Sequence, residues 1–194
     1  FKEKTLKCTL CPHLCLIQDG KYGACAIRKN QSGILYTLVY GKTISYAVDP
    51  IEKKPLYHFY PGTMIFSYAT AGCNFKCSFC QNWQISQISK GKEGKIVGEN
   101  IFPKEIVALA RKFGCDSIAM TYNEPSIQFE YAFDVCVEAK KQGLKTVFVS
   151  NGYICKEPIK KISKYLDAIN LDLKSFNDEF YKKICGARLS PVLD

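Results

Sequence analysis

Apolar and polar positions change their rhythm near residue 63. Upstream, short β-branched and aromatic runs are broken repeatedly by turn residues; downstream, strand-like and helix-like stretches alternate. MIFSYAT (64–70), SIAMTY (117–122), KTVFVS (145–150) and AINLDL (168–173) are brief apolar runs of the kind that form buried strands. PKEIVALARKFG (103–114) puts Ile106, Val107 and Ala110 on one helical face, with Pro103 in the first turn and Gly114 as a stop. SIQFEYAFDVCVEAKKQG (126–143), EPIKKISKYL (157–166) and DEFYKKI (178–184) predict three more helices.

Four β-then-α units in succession require parallel strands joined by right-handed crossovers. The expected fold class is therefore α/β, a partial TIM-type (β/α) barrel over residues 63–194. Four units do not close a barrel, so the natural chain is expected to continue past Asp194. Residues 1–62 read as a separate cysteine-rich, metal-binding segment. Within it ILYTLVYGKTISYAV (34–48) predicts a β-hairpin turning at Gly41-Lys42. DPIEKKPLYHFYPG (49–62), with three prolines, reads as an extended connector.

Composition narrows the class. At 194 residues and 47% hydrophobic, the chain can bury one substantial core. No apolar run approaches the roughly 18 residues of a membrane span, and no secretory apolar region opens the chain. The formal charge of +9 comes from lysines spread over the whole length, which suits a solvated surface better than a nucleic-acid stripe. Eleven cysteines are an odd total, and seven of them fall in two tight groups. That pattern fits metal ligation in a reducing cytoplasm better than a disulfide framework.

The first informative group lies in GCNFKCSFCQNW (72–83), where Cys73, Cys77 and Cys80 are spaced C-x3-C-x2-C. A closed zinc site or an iron–sulfur cubane takes four protein ligands, so three leave one position open for chemistry. A distant cysteine or histidine completing a zinc site, or Cys115 completing an electron-transfer cluster, are the bland alternatives. Neither accounts for the polar residues at the other strand ends: Asn123-Glu124, Ser150-Asn151 and Asp172-Leu173-Lys174. In α/β folds that carboxyl edge is where sites are built.

These residues carry a resemblance. C-x3-C-x2-C with Phe79 before the last cysteine resembles the signature of the radical S-adenosylmethionine (radical SAM) superfamily. The resemblance implies a 4Fe–4S cluster on Cys73, Cys77 and Cys80, with S-adenosylmethionine on the open iron. It also implies cleavage of that cofactor to a 5′-deoxyadenosyl radical, which abstracts hydrogen from a substrate. By the same resemblance, Asn123 and Glu124 in TYNEP would meet the cofactor amino group, and Ser150 and Asn151 its ribose and carboxylate. Asp172 and Lys174 resemble the fourth-strand polar pair of the pyruvate formate-lyase-activating branch. CTLCPHLC, GKYGAC, KKPLYHFYPG, TYNEPS, SNGY and NLDLKSF are similar to the activase-like radical SAM component of the AmmeMemoRadiSam system. A protein or peptide substrate follows from that branch, with Memo-type or Ammecr-type proteins as partners and ferredoxin or flavodoxin as reductant. The chain lacks the Asp-Gly-Pro-Gly-Ile-Arg stretch of true glycyl-radical activases, which argues against that particular role.

The second group, Cys8-x2-Cys11-Pro-x2-Cys15-x9-Cys25, supplies four thiolates and so reads as a closed structural site for zinc or a second iron–sulfur cluster. Gly20 and Gly23 suit its turns. His13 reads as hydrogen-bonded rather than ligating, and His58 as packed. Two other function classes stay open: modification of RNA, motivated by charge and aromatic content, and a non-enzymatic zinc-binding scaffold.

Overall fold

The computed structural model describes residues 4–90 and 96–194. Its central sheet has five strands, in the order Ala168–Leu171, Lys145–Ser150, Ser117–Met120, Met64–Ala69 and Ser45–Pro50. The first four are neighbours in chain order and run parallel. Helices Pro103–Lys112, Phe129–Lys141 and Lys156–Ser163 occupy the crossovers between them. The α/β expectation is met. Ser45–Pro50 adds an antiparallel edge, with Asp49 opposite Ile65. The segment expected to stand apart upstream of residue 63 thus supplies one strand of the sheet.

Element ends shift for local reasons. The second crossover helix starts at Phe129 because Pro125–Gln128 forms a 3-10 turn, whose free Ser126 N–H is capped by the Glu124 carboxylate. The last predicted helix is α-helical only over Asp178–Phe180. It widens into a π-turn, Tyr181–Cys185, and ends at Gly186 in the left-handed region.

Two readings are corrected. Gly41-Lys42 does not turn a hairpin. Ile34–Thr37 instead pairs with Arg28–Gln31 around Ser32-Gly33, both of which have positive φ, as a two-residue turn of a twisted hairpin requires. Lys42–Thr43 pairs with Glu99–Asn100. The 49–62 stretch is not an extended connector either. Ile51–Lys53 is a 3-10 turn, and Ile51, Leu56 and Phe59 pack on Ile65, Ala119 and Val147. The sheet face turned away from the helices is apolar, and covering it gains more than an extended path in water could. His58 lies exposed in this stretch rather than packed.

The opposite face carries the main core: Phe66, Tyr68, Ile118, Met120 and Phe148 meet Ile106, Ala110, Val135 and Ala139 from the helices. The N-terminal segment is fastened to this body by Arg28. Its guanidinium is buried and forks onto both Glu130 carboxylate oxygens at 2.6 Å.

Candidate functional site

At the carboxyl end of Met64–Ala69 the chain passes close against the N-terminal segment. A Cβ on Gly72, at φ +98, would lie 2.8 Å from Ile27 Cγ2 and 3.3 Å from the Cys25 carbonyl. Only glycine fits both the conformation and the space. The loop that follows is held from several sides. Asn123 Nδ2 donates to the Thr70 and Gly72 carbonyls. Asn74 donates to the Tyr153 carbonyl and accepts from Asn151 Nδ2, each at 2.9 Å. His13 Nε2 lies 2.8 Å from the Asn74 carbonyl, so this histidine is hydrogen-bonded, as expected.

The loop borders a cavity of about 630 Å³. Cys73, Cys77 and Cys80 line it, and so do Asn123, Glu124 and Asn151 from the next two strand ends. Asp172 and Lys174 complete the rim from the fourth, ion-paired at 2.7 Å. Ser150 does not reach the cavity wall. It stands behind Glu124, donating its hydroxyl to Oε1 at 2.8 Å. Glu124 Oε1 also accepts from the Ser126 amide and Oε2 from the Asn151 amide, at 2.9 and 2.7 Å. This buried carboxylate therefore braces two strand ends against each other. Burial raises its pKa, and the three donors pull the other way.

Asn123 lines the cavity as well. Both of its amide protons are committed to carbonyl oxygens, which fixes the amide orientation. Its Oδ1 is then buried without any partner. An unpartnered buried acceptor is costly unless a donor arrives.

Burial pushes the Cys73 thiol up to about 12, with the nearby Glu124 carboxylate adding to the effect. Cys77 is also pushed up to about 12, by burial first and then by the neighbouring Cys185. Thiols held protonated in this way release protons when they ligate a metal. Lys174 is raised: burial alone would lower it, but its hydrogen bond and charge pairing with Asp172 outweigh that.

The sequence reading missed the opposite wall. Lys53, Lys54 and Tyr122 also border the cavity. Lys54 and Asp49 are buried together at 2.7 Å, and Tyr122 donates its hydroxyl to the same Asp49 oxygen at 2.7 Å. Tyr122 has φ 65, which is rare for an aromatic residue and typical of functional sites. The KK pair in a proline-rich stretch was the available signal.

The four N-terminal cysteines lie outside the cavity lining. Cys8 and Cys11 are buried, Cys15 and Cys25 partly so, and all eleven cysteines are free thiols. The four sit near enough to influence one another's charge. Among the described residues no three Cys, His, Asp or Glu side chains converge closely enough to hold a single metal ion. The thiolates of a cubane radiate from its corners and stand farther apart than the ligands of one ion.

A parallel α/β sheet with three free thiols in the loop after its first parallel strand defines a protein built for chemistry at its carboxyl edge. Residues 67–193 match the radical SAM superfamily, and the chain belongs to it. Members of the superfamily are enzymes, and membership implies a 4Fe–4S cluster and S-adenosylmethionine. An uncharacterized protein of Methanocaldococcus jannaschii is 45% identical over 99% of this chain and 56% of its own length. A probable GTP 3′,8-cyclase of Saccharolobus solfataricus is 31% identical over 60% of this chain and 36% of its own. The pyruvate formate-lyase-activating enzyme of Clostridium pasteurianum is 29% identical over 59% and 48%. The chain thus spans between about a third and just over half of these relatives. No helix among the described residues is long and apolar enough to cross a membrane.

Proposed function

We propose that this chain binds a 4Fe–4S cluster through Cys73, Cys77 and Cys80 and S-adenosylmethionine beside it, and abstracts hydrogen from a protein or peptide substrate. The observation that carries the reading is the cavity itself, which is lined by three free thiols on one loop and by Asn123, Glu124 and Asn151 from the next two strand ends. An amide oxygen lacking a donor suits the cofactor ammonium. When bound, the cofactor pair supplies reductive cleavage of the sulfonium and hydrogen-atom abstraction.

The chain's own residues supply the frame. Asn123 accepts the ammonium while its amide protons hold Thr70 and Gly72. Glu124 keeps the Ser150–Asn151 strand end in place, so that Asn151 reaches Asn74 and the edge of Cys73. Lys174, held by Asp172, places a cation at the rim. The names of the activating-enzyme relatives favour a polypeptide substrate; as the reductant we propose a low-potential protein such as ferredoxin or flavodoxin. For the N-terminal thiols, which do not converge closely enough for a single zinc ion, we propose a structural iron–sulfur cluster.

Anaerobic reconstitution tests this. The wild-type chain should form 5′-deoxyadenosine, and Cys77→Ala should form none. Asn123→Ala should keep the cluster absorption yet bind S-adenosylmethionine about tenfold to a hundredfold more weakly, the loss expected for one charge-assisted hydrogen bond. Deuterium from a labelled candidate polypeptide should appear in the 5′-deoxyadenosine. Equal cofactor affinity in wild-type and Asn123→Ala protein would remove Asn123 from the site, and turnover by Cys77→Ala would end the cluster assignment.

A further inference from the structure

His13 belongs to the N-terminal cysteine segment, between Cys11 and Cys15, yet it reaches across to the three-cysteine loop. Its Nε2 lies 2.8 Å from the backbone oxygen of Asn74, the residue that follows Cys73. A carbonyl oxygen can only accept, so Nε2 carries the proton and the ring donates. The same ring packs on Tyr153, with centroids 5.0 Å apart. Asn74 and Tyr153 are joined in turn, because Asn74 Nδ2 donates to the Tyr153 carbonyl at 2.9 Å. His13 thus touches both ends of one buried link. The rest of its segment backs the same region. The Leu10 carbonyl accepts the Cys155 amide at 3.0 Å, and the Ser89 hydroxyl donates to the Cys25 carbonyl at 3.1 Å. Cys11 shares a buried apolar cluster with Phe75 and Tyr153, and Cys73 and Cys77 pack against that cluster.

From Asn74 the connection continues to the cavity wall. Its Oδ1 accepts Asn151 Nδ2 at 2.9 Å, and Asn151 Oδ1 accepts the Tyr153 amide at 2.9 Å. With both ends of its amide engaged, Asn151 has one orientation at the cavity it lines. His13 does not line that cavity, so it acts only through what it holds. We infer, on the cofactor reading given above, that His13 is a positioning residue that couples the N-terminal cysteine segment to the cofactor site, fixing Asn151 through Asn74. Asn74 is buried, and a buried carbonyl that loses its donor is costly enough to move the loop that carries it. Coupling of this kind is reciprocal: if an ordered N-terminal segment favours the cofactor, a bound cofactor steadies the segment by the same free energy.

Two substitutions separate the hydrogen bond from the ring. His13→Phe keeps a ring on Tyr153 and loses the donor; His13→Gln keeps an N–H donor and gives up the ring. In the reconstituted full chain both should hold the wild-type iron content. His13→Phe should bind S-adenosylmethionine about fivefold more weakly, the contribution of one neutral hydrogen bond, and His13→Gln should stay within about twofold of wild type. Amide hydrogen exchange adds a check that the unsubstituted protein can answer. S-adenosylmethionine should slow exchange over residues 8–25 in wild type, and the slowing should be lost in His13→Phe. Equal affinity in wild type and His13→Phe, an equal loss in both variants, or exchange over 8–25 that ignores the cofactor in wild type would overturn the proposal. Wild-type protein that takes up iron but binds no S-adenosylmethionine would sink the site reading instead, and this proposal with it.

Discussion

Asp49→Asn probes the buried pair beneath the cavity. The side chains of Asp49 and Lys54 are 5% and 2% exposed and meet at 2.7 Å. Tyr122 donates to the same carboxylate, and Lys53, at 67% exposure, donates to its other oxygen at 2.9 Å. Asparagine keeps the shape but leaves Lys54 as a buried cation facing a neutral amide and the Tyr122 ring 4.8 Å away. Removing one partner of such a pair costs about 3 to 5 kcal/mol. At about 2 to 4 °C per kcal/mol for a chain of this size, the melting temperature should fall by about 6 to 20 °C. Lys54→Met should cost less, because Asp49 keeps Lys53 and Tyr122. The double variant should recover much of the loss, since a neutral, filled site has no charge to desolvate. Urea unfolding at neutral pH, with an unchanged m-value, measures all three.

The pH dependence supplies an independent check on the same pair. Burial alone would raise the Asp49 carboxyl, but hydrogen bonds from Lys54, Lys53 and Tyr122 outweigh it and hold the group well below the usual carboxylate range. Its stabilisation is therefore complete above the unfolded value, about 3.9, and is lost as pH falls through the lower folded value. The Lys54 pKa is lowered too, by burial despite Asp49, and for a lysine that disfavours the charged form. The desolvation cost of the pair thus falls on the lysine, and Asp49 is the partner that offsets it. A cost under about 1 kcal/mol for Asp49→Asn, or a double variant as unstable as the sum of the singles, would refute this account.

Two further outcomes follow from the geometry. Gly72→Ala forces a side chain into the left-handed region against Ile27 and the Cys25 carbonyl, so it should cost about 1 to 3 kcal/mol and reduce iron uptake, read by thermal unfolding and iron analysis. Asp167→Asn should destabilise at neutral pH, and its gap from wild type should close as pH drops below about 4. Burial raises the Asp167 carboxyl, but Lys140 and the Thr146 amide more than offset that, so its contribution disappears in acid; a gap that persists there would contradict the assignment.

Much of the fold was legible because it is encoded locally. Strand and helix runs announce themselves within ten residues, and the succession of four units forces parallel strands. The rim residues were legible for the same reason: Cys73, Asn123, Asn151 and Asp172 each lie just past a strand end, and a parallel sheet puts all such ends on one edge. The misreadings had a different origin. Ile34–Thr37 could pair forwards or backwards, and Ser32-Gly33 won because its positive φ angles match the strand twist. The 49–62 stretch looked extended because its prolines were weighed without the bare apolar sheet face that Ile51, Leu56 and Phe59 cover.

The sequence by itself determined the element order, the parallel sheet, the three-thiol loop and the edge on which chemistry would sit. Tertiary structure alone decided which polar groups are already satisfied and which are left wanting. Glu124 and Asn123 are adjacent in TYNEP, yet Glu124 is consumed by Ser126, Ser150 and Asn151 while the Oδ1 of Asn123 stays unpartnered. It also decided that Lys54, outside the loop in sequence, borders the cavity. Periodicity reports only the local backbone. Hydrogen-bond satisfaction and close approach depend on distances between segments that meet only after the chain has folded.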